Sequence, residues 1–328
     1  MRFTVTGATG FVGNNLVRAL LDGGHEVRVT TRPSSDLRAL DGLDVEQLHG
    51  DLTDPEFVST LPRDVDGVFH CAAMIWIGRT KVDLSRRVNV EPTCNLAEAC
   101  RVEGVRMIHV SSVDALASAR NKRAQCDESN LLPRKPDCAY TVSKRESEAC
   151  VMRAVDRGLN ATVVNPSFMV GPYDWAPSSG KMMLSLAGRF VPFTPGGGVS
   201  VADVRDVASG IIAAYERGRV GERYILAGHN VTYLHLWRLM AKVTGSPRPW
   251  LAMGSRVARL VGIGGDAWRW LSSRESLINS AALRMGQLYH YYDSGKAMAE
   301  LNYATRPLLS ALEDSWRWLR QQQPVAAV

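Results

Sequence analysis

Close to the N-terminus the chain reads Gly7-Ala8-Thr9-Gly10-Phe11-Val12-Gly13, directly after Phe3-Thr4-Val5-Thr6 and directly before Asn14 to Leu21. The first flank has the β-branched and aromatic character of a strand. The last has helical apolar spacing and stops at Gly23-Gly24. A strand that passes into a helix through three glycines leaves few folds open. One glycine permits a tight turn, one lets the backbone approach a ligand, and one allows the helix to pack closely on the strand. The helix start then presents free N–H groups and the positive end of its dipole, which suits a pyrophosphate.

Beyond this loop, short apolar runs alternate with helical stretches. Strands are expected at Val27 to Thr30, Val45 to His49, Val68 to Cys71, Val105 to Val110 and Thr162 to Val164, and helices at Leu84 to Val102 and Tyr140 to Val155. Such alternation predicts an α/β fold: a Rossmann-type, doubly wound parallel sheet covered on both faces. After Pro166, prolines and glycines at 171, 172, 177, 180, 192 and 195 to 198 interrupt any long element. Residues 1–168 therefore read as a nucleotide-binding domain and 169–328 mainly as a smaller, mostly helical cap. Residues 204–227, a helix (Val204 to Arg217) and a short strand (Tyr224 to Leu226), return to the first domain.

With 45% hydrophobic and 22% charged residues in 328, disorder is excluded and a sizeable core is available. The net charge of +6 is spread along the chain, so no nucleic-acid-binding arm is visible. The six cysteines form no CxxC pair and no metal is expected; all six read as reduced thiols. The glycine loop comes too early for a secretory leader, and no apolar run approaches the roughly 18 residues of a membrane span, so a cytoplasmic protein is expected.

The end of the second strand reads Val29-Thr30-Thr31-Arg32, where an Asp or Glu would hold the 2′-hydroxyl of NAD. Arg32 suits a 2′-phosphate instead, so NADP(H) is favoured over NAD(H), although Asp36 is close in sequence. Tyr140 and Lys144 stand four residues apart on one helix face, where the ammonium would stabilise phenolate and lower the tyrosine pKa. Ser111 and Ser112 end the preceding strand, at the sheet edge where such folds bind ligands.

Taken together, TGATGFVG, GDLTD at Gly50 to Asp54, FHCAA at Phe69 to Ala73, HVSS at His109 to Ser112 and YTVSK at Tyr140 to Lys144 resemble an extended short-chain dehydrogenase/reductase. The resemblance covers nearly the whole chain. It is nearest the branch that holds dihydroflavonol reductases, 3β-hydroxysteroid dehydrogenases and hopanoid-associated sugar epimerases. It implies that Ser112 bonds the substrate oxygen, with Ser111 the fallback, that Tyr140 transfers the proton, and that Lys144 binds the nicotinamide ribose. It further implies cofactor contacts from Gly7, Thr9, Gly10, Phe11, Val12, Gly13, Asp51, Leu52, Ala72, Ala73, Pro166 and Ser167. Asn89 matches an asparagine near the active site, and dimerisation through the two long helices is implied as well. In place of the Ala-x-Val-Tyr-Gly common in sugar epimerases, Val113-Asp114-Ala115-Leu116-Ala117 follows Ser112.

Substrate choice falls to the cap and to the loop after the fourth strand. Met74, Trp76, Asp114, Tyr173 and Trp175 are candidate substrate contacts, and Met169, Met182, Met183, Phe190 and Phe193 either line an apolar pocket or pack the cap. Met253 to Leu271 interleaves apolar residues with Arg256, Arg259 and Arg269, which suits either cap packing or peripheral contact with an anionic membrane. The expected activity is an NAD(P)-dependent oxidoreductase interconverting a secondary alcohol and a ketone on a bulky apolar substrate such as a sterol or other polycyclic lipid. A sugar-nucleotide epimerase with tightly bound NAD is the alternative, and a non-catalytic NADP sensor a third.

Overall fold

In a computed structural model of the chain, residues 1–76, 78, 80–119, 121–131, 138–255, 257–258 and 280–322 are described. Its centre is a seven-stranded sheet. Six strands are β1 (Arg2–Thr6), β2 (Glu26–Thr31), β3 (Glu46–His49), β4 (Gly67–His70), β5 (Arg106–Val110) and β6 (Ala161–Pro166). With the strand Arg223–Leu226 at one edge, the spatial order is Arg223–Leu226, β6, β5, β4, β1, β2, β3, with every pairing parallel. The chain winds outward from β1 to β3, then crosses back to lay β4 on the other side of β1. That reversal opens a crevice at the carboxyl ends of β1 and β4, into which the Gly7–Gly13 loop and the stretch after His70 both lead.

Alternation along the strands fills two cores. Phe3, Val5, Phe69, Ile108 and Val164 face one side, against Leu16, Val17 and Leu20 of α1 (Phe11–Asp22) and Val207 and Ile211 of the helix Val204–Arg217. Their neighbours Val68, Met107 and Val163 face the other, against α2 (Pro55–Thr60), α4 (Glu91–Glu103) and α5 (Ala139–Val155). Both faces are dry, which is why these strands read as continuous apolar runs.

The expected helix Leu84 to Val102 is three pieces: α3 (Val82–Ser85), a π-helical turn at Arg86–Val90, and α4. Pro92 at the head of α4 lacks an N–H for the ladder, and the widened turn falls just before it. Gly104, in the left-handed region at φ 71°, ends α4.

Residues past Pro166 hold more strand than their sequence suggests. Phe168–Val170, Gly198–Asp203, His229–Thr232 and Tyr289–His290 make a second sheet, and Phe193–Thr194 pairs with Leu251–Ala252. At two to six residues these strands are too short to register as a period. Tyr233–Thr244 and Leu308–Gln322 pack a third core around Met183, Leu236, Met240 and Trp318. Arg205 ties this region down by bonding Asp203 and Asp314, each at 2.7 Å. Most of the expected basic segment Met253 to Leu271, with Trp268 and Trp270, lies outside the described residues.

Two of the cysteines depart from the all-thiol expectation. Cys94 on α4 and Cys150 on α5 are joined as a disulfide, with Cα atoms 5.5 Å apart. Only the side-by-side packing of the two helices brings them face to face. Among the described residues no helix is long and apolar enough to cross a membrane.

Candidate active site

Gly7 lies at φ 71°, and a Cβ there would sit 2.7 Å from the backbone of Ala72, so the turn after β1 presses directly on the chain leaving β4. Gly13 is tighter still, since its Cβ would fall 2.2 Å from the carbonyl oxygen of Gly7. Gly10 caps α1 in an extended conformation without a side chain, and no acidic residue stands in the first turn. The result is a shallow, uncharged backbone cradle at a helix N-terminus, and it fits a dinucleotide pyrophosphate.

At the rim, Arg32 is exposed at the end of β2. Asp36 is occupied: its carboxylate pairs with Arg38 at 2.5 Å, which holds it below the usual carboxylate range. Asp51 accepts from the backbone N–H and the hydroxyl of Thr53 at 2.8 and 2.9 Å. Those bonds, with help from Arg32 and Arg87, keep its carboxyl ionised. Ala72 donates its N–H to Thr6 Oγ1 at 3.3 Å, fixing the groove wall.

Across the crevice, Ser112 ends the run from β5 and its hydroxyl accepts the Asp114 N–H at 3.1 Å, capping the single turn Val113–Ala115. Ser112 also lies near enough to Tyr140 to ease ionisation of its phenol. Ser111, by contrast, has its hydroxyl buried with no partner in this structure, so Ser112 is the serine brought to the tyrosine. Lys144, one turn along α5, donates to the carbonyl of Val110 at 2.9 Å, and its Nζ is 5.9 Å from the Tyr140 ring centre.

The expected lowering of the tyrosine pKa is reversed here. Burial, and then the negative charge of Asp114, push Tyr140 well above its ordinary value, and Ser112 only partly offsets them. Lys144 is itself stripped of solvent, which pulls its pKa down to about 8. Tyr140 is thus a neutral phenol through physiological pH.

The sequence profile of the NAD dependent epimerase/dehydratase family matches residues 3–227, which span this loop, this serine and this Tyr–Lys pair. The chain belongs to that family. Its relatives include a sterol demethylase protein B of Methylococcus capsulatus, 34% identical over 327 residues, covering 98% of this chain and 99% of its own length. A 4-hydroxy-2-methyl-3-oxo-4-farnesyl-3,4-dihydroquinoline-1-oxide ketoreductase of Stigmatella aurantiaca is 30% identical over 313 residues, 93% of this chain and 92% of its own. Among solved structures, gox2253 matches with a TM-score of 0.84 at 34% identity, over 97% of this chain and 98% of that one. The extended short-chain dehydrogenase/reductase resemblance is borne out, and the chain is an enzyme of this NAD-dependent class.

Several residues that support the site in this epimerase/dehydratase-family chain escaped the sequence reading. Asn165 on β6 donates to the carbonyl of Ser112 at 3.0 Å and to Glu148 at 2.6 Å. Glu148, buried on α5, pairs in turn with Arg223 at 2.9 Å. The turn after Ser112 is also gripped by Tyr292, whose hydroxyl lies within 3.2 Å of the carbonyl oxygens of Val113 and Ala117, and by Arg145, which donates to Ala115 at 3.3 Å. These partners come from β6, α5, the strand Arg223–Leu226 and the stretch after Tyr289–His290.

Asn89 does more than satisfy its own helix. It clamps Met74 through both backbone groups, at 2.7 and 2.9 Å, and donates to Ser143 at 3.0 Å. Tyr140 N–H bonds the carbonyl of Trp76 at 3.2 Å, so Met74 and Trp76 lie along the start of α5. Lys81 covers the Trp76 ring at 3.7 Å. Ser167, just past Pro166, donates its N–H to Leu226 at 3.2 Å, while its hydroxyl has no partner. Tyr173 and Trp175 meet other elements: Arg18 stacks on Tyr173, Trp175 bonds Asn14, and both rings pack on Trp318. They join the cap to α1 rather than to the Ser112–Tyr140 pair. Met169 and Met183 serve the cores, and Phe190 and Phe193 are exposed.

Proposed function

We propose that the chain is a nicotinamide-dependent reductase that converts a ketone on a bulky, mainly apolar substrate to a secondary alcohol, a sterol or other polycyclic lipid being the favoured class. The observation that carries this reading is the pair on α5: Tyr140, kept protonated by burial, with the Lys144 ammonium 5.9 Å from its ring centre, in a chain that also carries the glycine cradle. A bound nicotinamide would supply the hydride. Ser112 fixes the substrate oxygen, Tyr140 delivers its phenolic proton to that oxygen, and Lys144 bonds the nicotinamide ribose from its seat on the Val110 carbonyl. The names of the Methylococcus and Stigmatella relatives, one for sterol demethylation and one for ketone reduction, support the substrate class.

Purified protein supplied with NADPH and a keto-sterol should oxidise the cofactor only when the ketone is present. An isomerised sugar from a UDP-sugar, with no net change in nicotinamide absorbance, would instead make it an epimerase. In the same assay Arg32→Ala should weaken NADPH binding about tenfold or more and leave NADH nearly untouched, because a charged hydrogen bond to the 2′-phosphate is lost. Equal effects on both cofactors would remove Arg32 from phosphate recognition.

Asp114 gives this reading a pH signature. Tyr140 donates only while protonated, so reduction is lost as pH rises through its pKa, which Asp114 holds up. Asp114→Asn removes the charge and should move Tyr140 ionisation about one pH unit toward neutral. Ultraviolet difference titration, with Tyr140→Phe as the blank, reads that shift directly. An unmoved titration would show that Asp114 does not set the donor.

A further inference from the structure

Far along the chain from the proton-transfer residues, two short segments build a rigid surface ribbon. Phe193–Thr194 pairs in parallel with Leu251–Ala252, and Trp250 and Leu251 both donate N–H groups to the carbonyl of Pro192, at 3.0 and 3.4 Å. Arg238, from the helix Tyr233–Thr244, bonds the carbonyls of Pro249 and Trp250 at 3.2 and 2.8 Å and braces the ribbon from behind. On this base the apolar side chains point outward: Phe190 is 45% exposed, Phe193 50%, Trp250 62% and Leu251 63%. The Phe190 and Trp250 rings meet at a tilt of 59° with centroids 4.9 Å apart, without being covered. Four large apolar groups fixed side by side in water mark an interaction surface.

Charge identifies the partner. Residues 175–202 and 224–255, which supply the ribbon and its flanks, contain no Asp or Glu. They carry Lys181, Arg189, Arg238, Lys242 and Arg248, and Arg189 and Arg248 are exposed next to Phe190 and Trp250 in sequence. A second copy docking through this face by two-fold symmetry would set arginines against arginines with no acid to separate them. An anionic bilayer meets both needs, since its headgroups take the cations while Trp and Phe enter the headgroup and acyl boundary. We propose that the Phe190–Phe193 and Trp250–Leu251 ribbon docks the enzyme on anionic membrane surfaces. This inference does not rest on the substrate proposed above.

The test is co-sedimentation of the full chain with large unilamellar vesicles of phosphatidylcholine alone, or with about a third of the lipid replaced by phosphatidylglycerol. Partitioning should be at least about tenfold stronger on the anionic vesicles, weaken as salt is raised, and shift Trp fluorescence to shorter wavelength. Phe190→Ser with Trp250→Ser should lower partitioning about tenfold, and Arg189→Glu with Arg248→Glu, which leaves the apolar groups in place, should abolish the preference for phosphatidylglycerol. Dinucleotide binding by each variant checks that it is folded. Indifference of the wild type to vesicles would overturn the proposal. So would a concentration-dependent dimer that the variants lose without any change in vesicle binding, which would assign the ribbon to a second copy of the chain.

Discussion

Tyr140→Phe is expected to reduce turnover by about 10²- to 10⁴-fold while leaving dinucleotide affinity within a factor of two or three. The ring, its burial and the packing of α5 are retained, so only the phenolic hydroxyl disappears. Losing one hydroxyl with a hydrogen bond costs about 1 kcal/mol, too little to unfold the chain. Rate and stability are therefore separable, and stopped-flow absorbance alongside thermal denaturation distinguishes them. Undiminished turnover would show that the proton comes from elsewhere, and Lys144 would be the next group to examine.

Nearly as large a loss is expected from a single methyl group at Gly13. Its Cβ would stand 2.2 Å from the Gly7 oxygen and 2.7 Å from the Gly7 carbonyl carbon, both backbone atoms that no rotamer change can move. Gly13→Ala must then lift α1 away from the turn after β1, and the cradle widens where the pyrophosphate N–H contacts are needed. Dinucleotide binding should weaken by more than about tenfold, with a fall in melting temperature, because overpacking of this kind typically costs 1–3 kcal/mol. Gly10→Ala makes a useful contrast, since its Cβ would approach the Gly7 oxygen only to 3.2 Å. Isothermal titration with NADP and NAD on both variants would decide the point. Equal binding by Gly13→Ala would mean that α1 and the turn are not in register as described.

How much of this was visible in the sequence depends on the range of the interaction. The glycine loop is local: strand, turn and helix follow within 20 residues, and each glycine's task follows from backbone geometry. The Tyr140–Lys144 spacing is equally local, and it placed both groups on one helix face. Burial, however, cannot be read from a four-residue spacing, and the direction of the Tyr140 shift was missed for that reason. Asn165, Glu148, Arg223 and Tyr292 could not be found at all, because they support Ser112 and the turn after it, directly or through one another, from up to 179 residues away. The short strands of the second sheet were invisible because pairing with distant neighbours, not their own composition, makes them strands.

The Cys94–Cys150 bond has a further consequence for how the chain is held together. Its two ends are 56 residues apart, and Ser112, Tyr140 and Lys144 all fall between them. The proposed proton-transfer groups therefore sit on one covalent ring. A protease that cut the backbone once inside that ring would produce two fragments that migrate as a single species until thiol is added. Nicked protein would keep its donor, its serine and its lysine on one connected molecule, and only reduction would let them part.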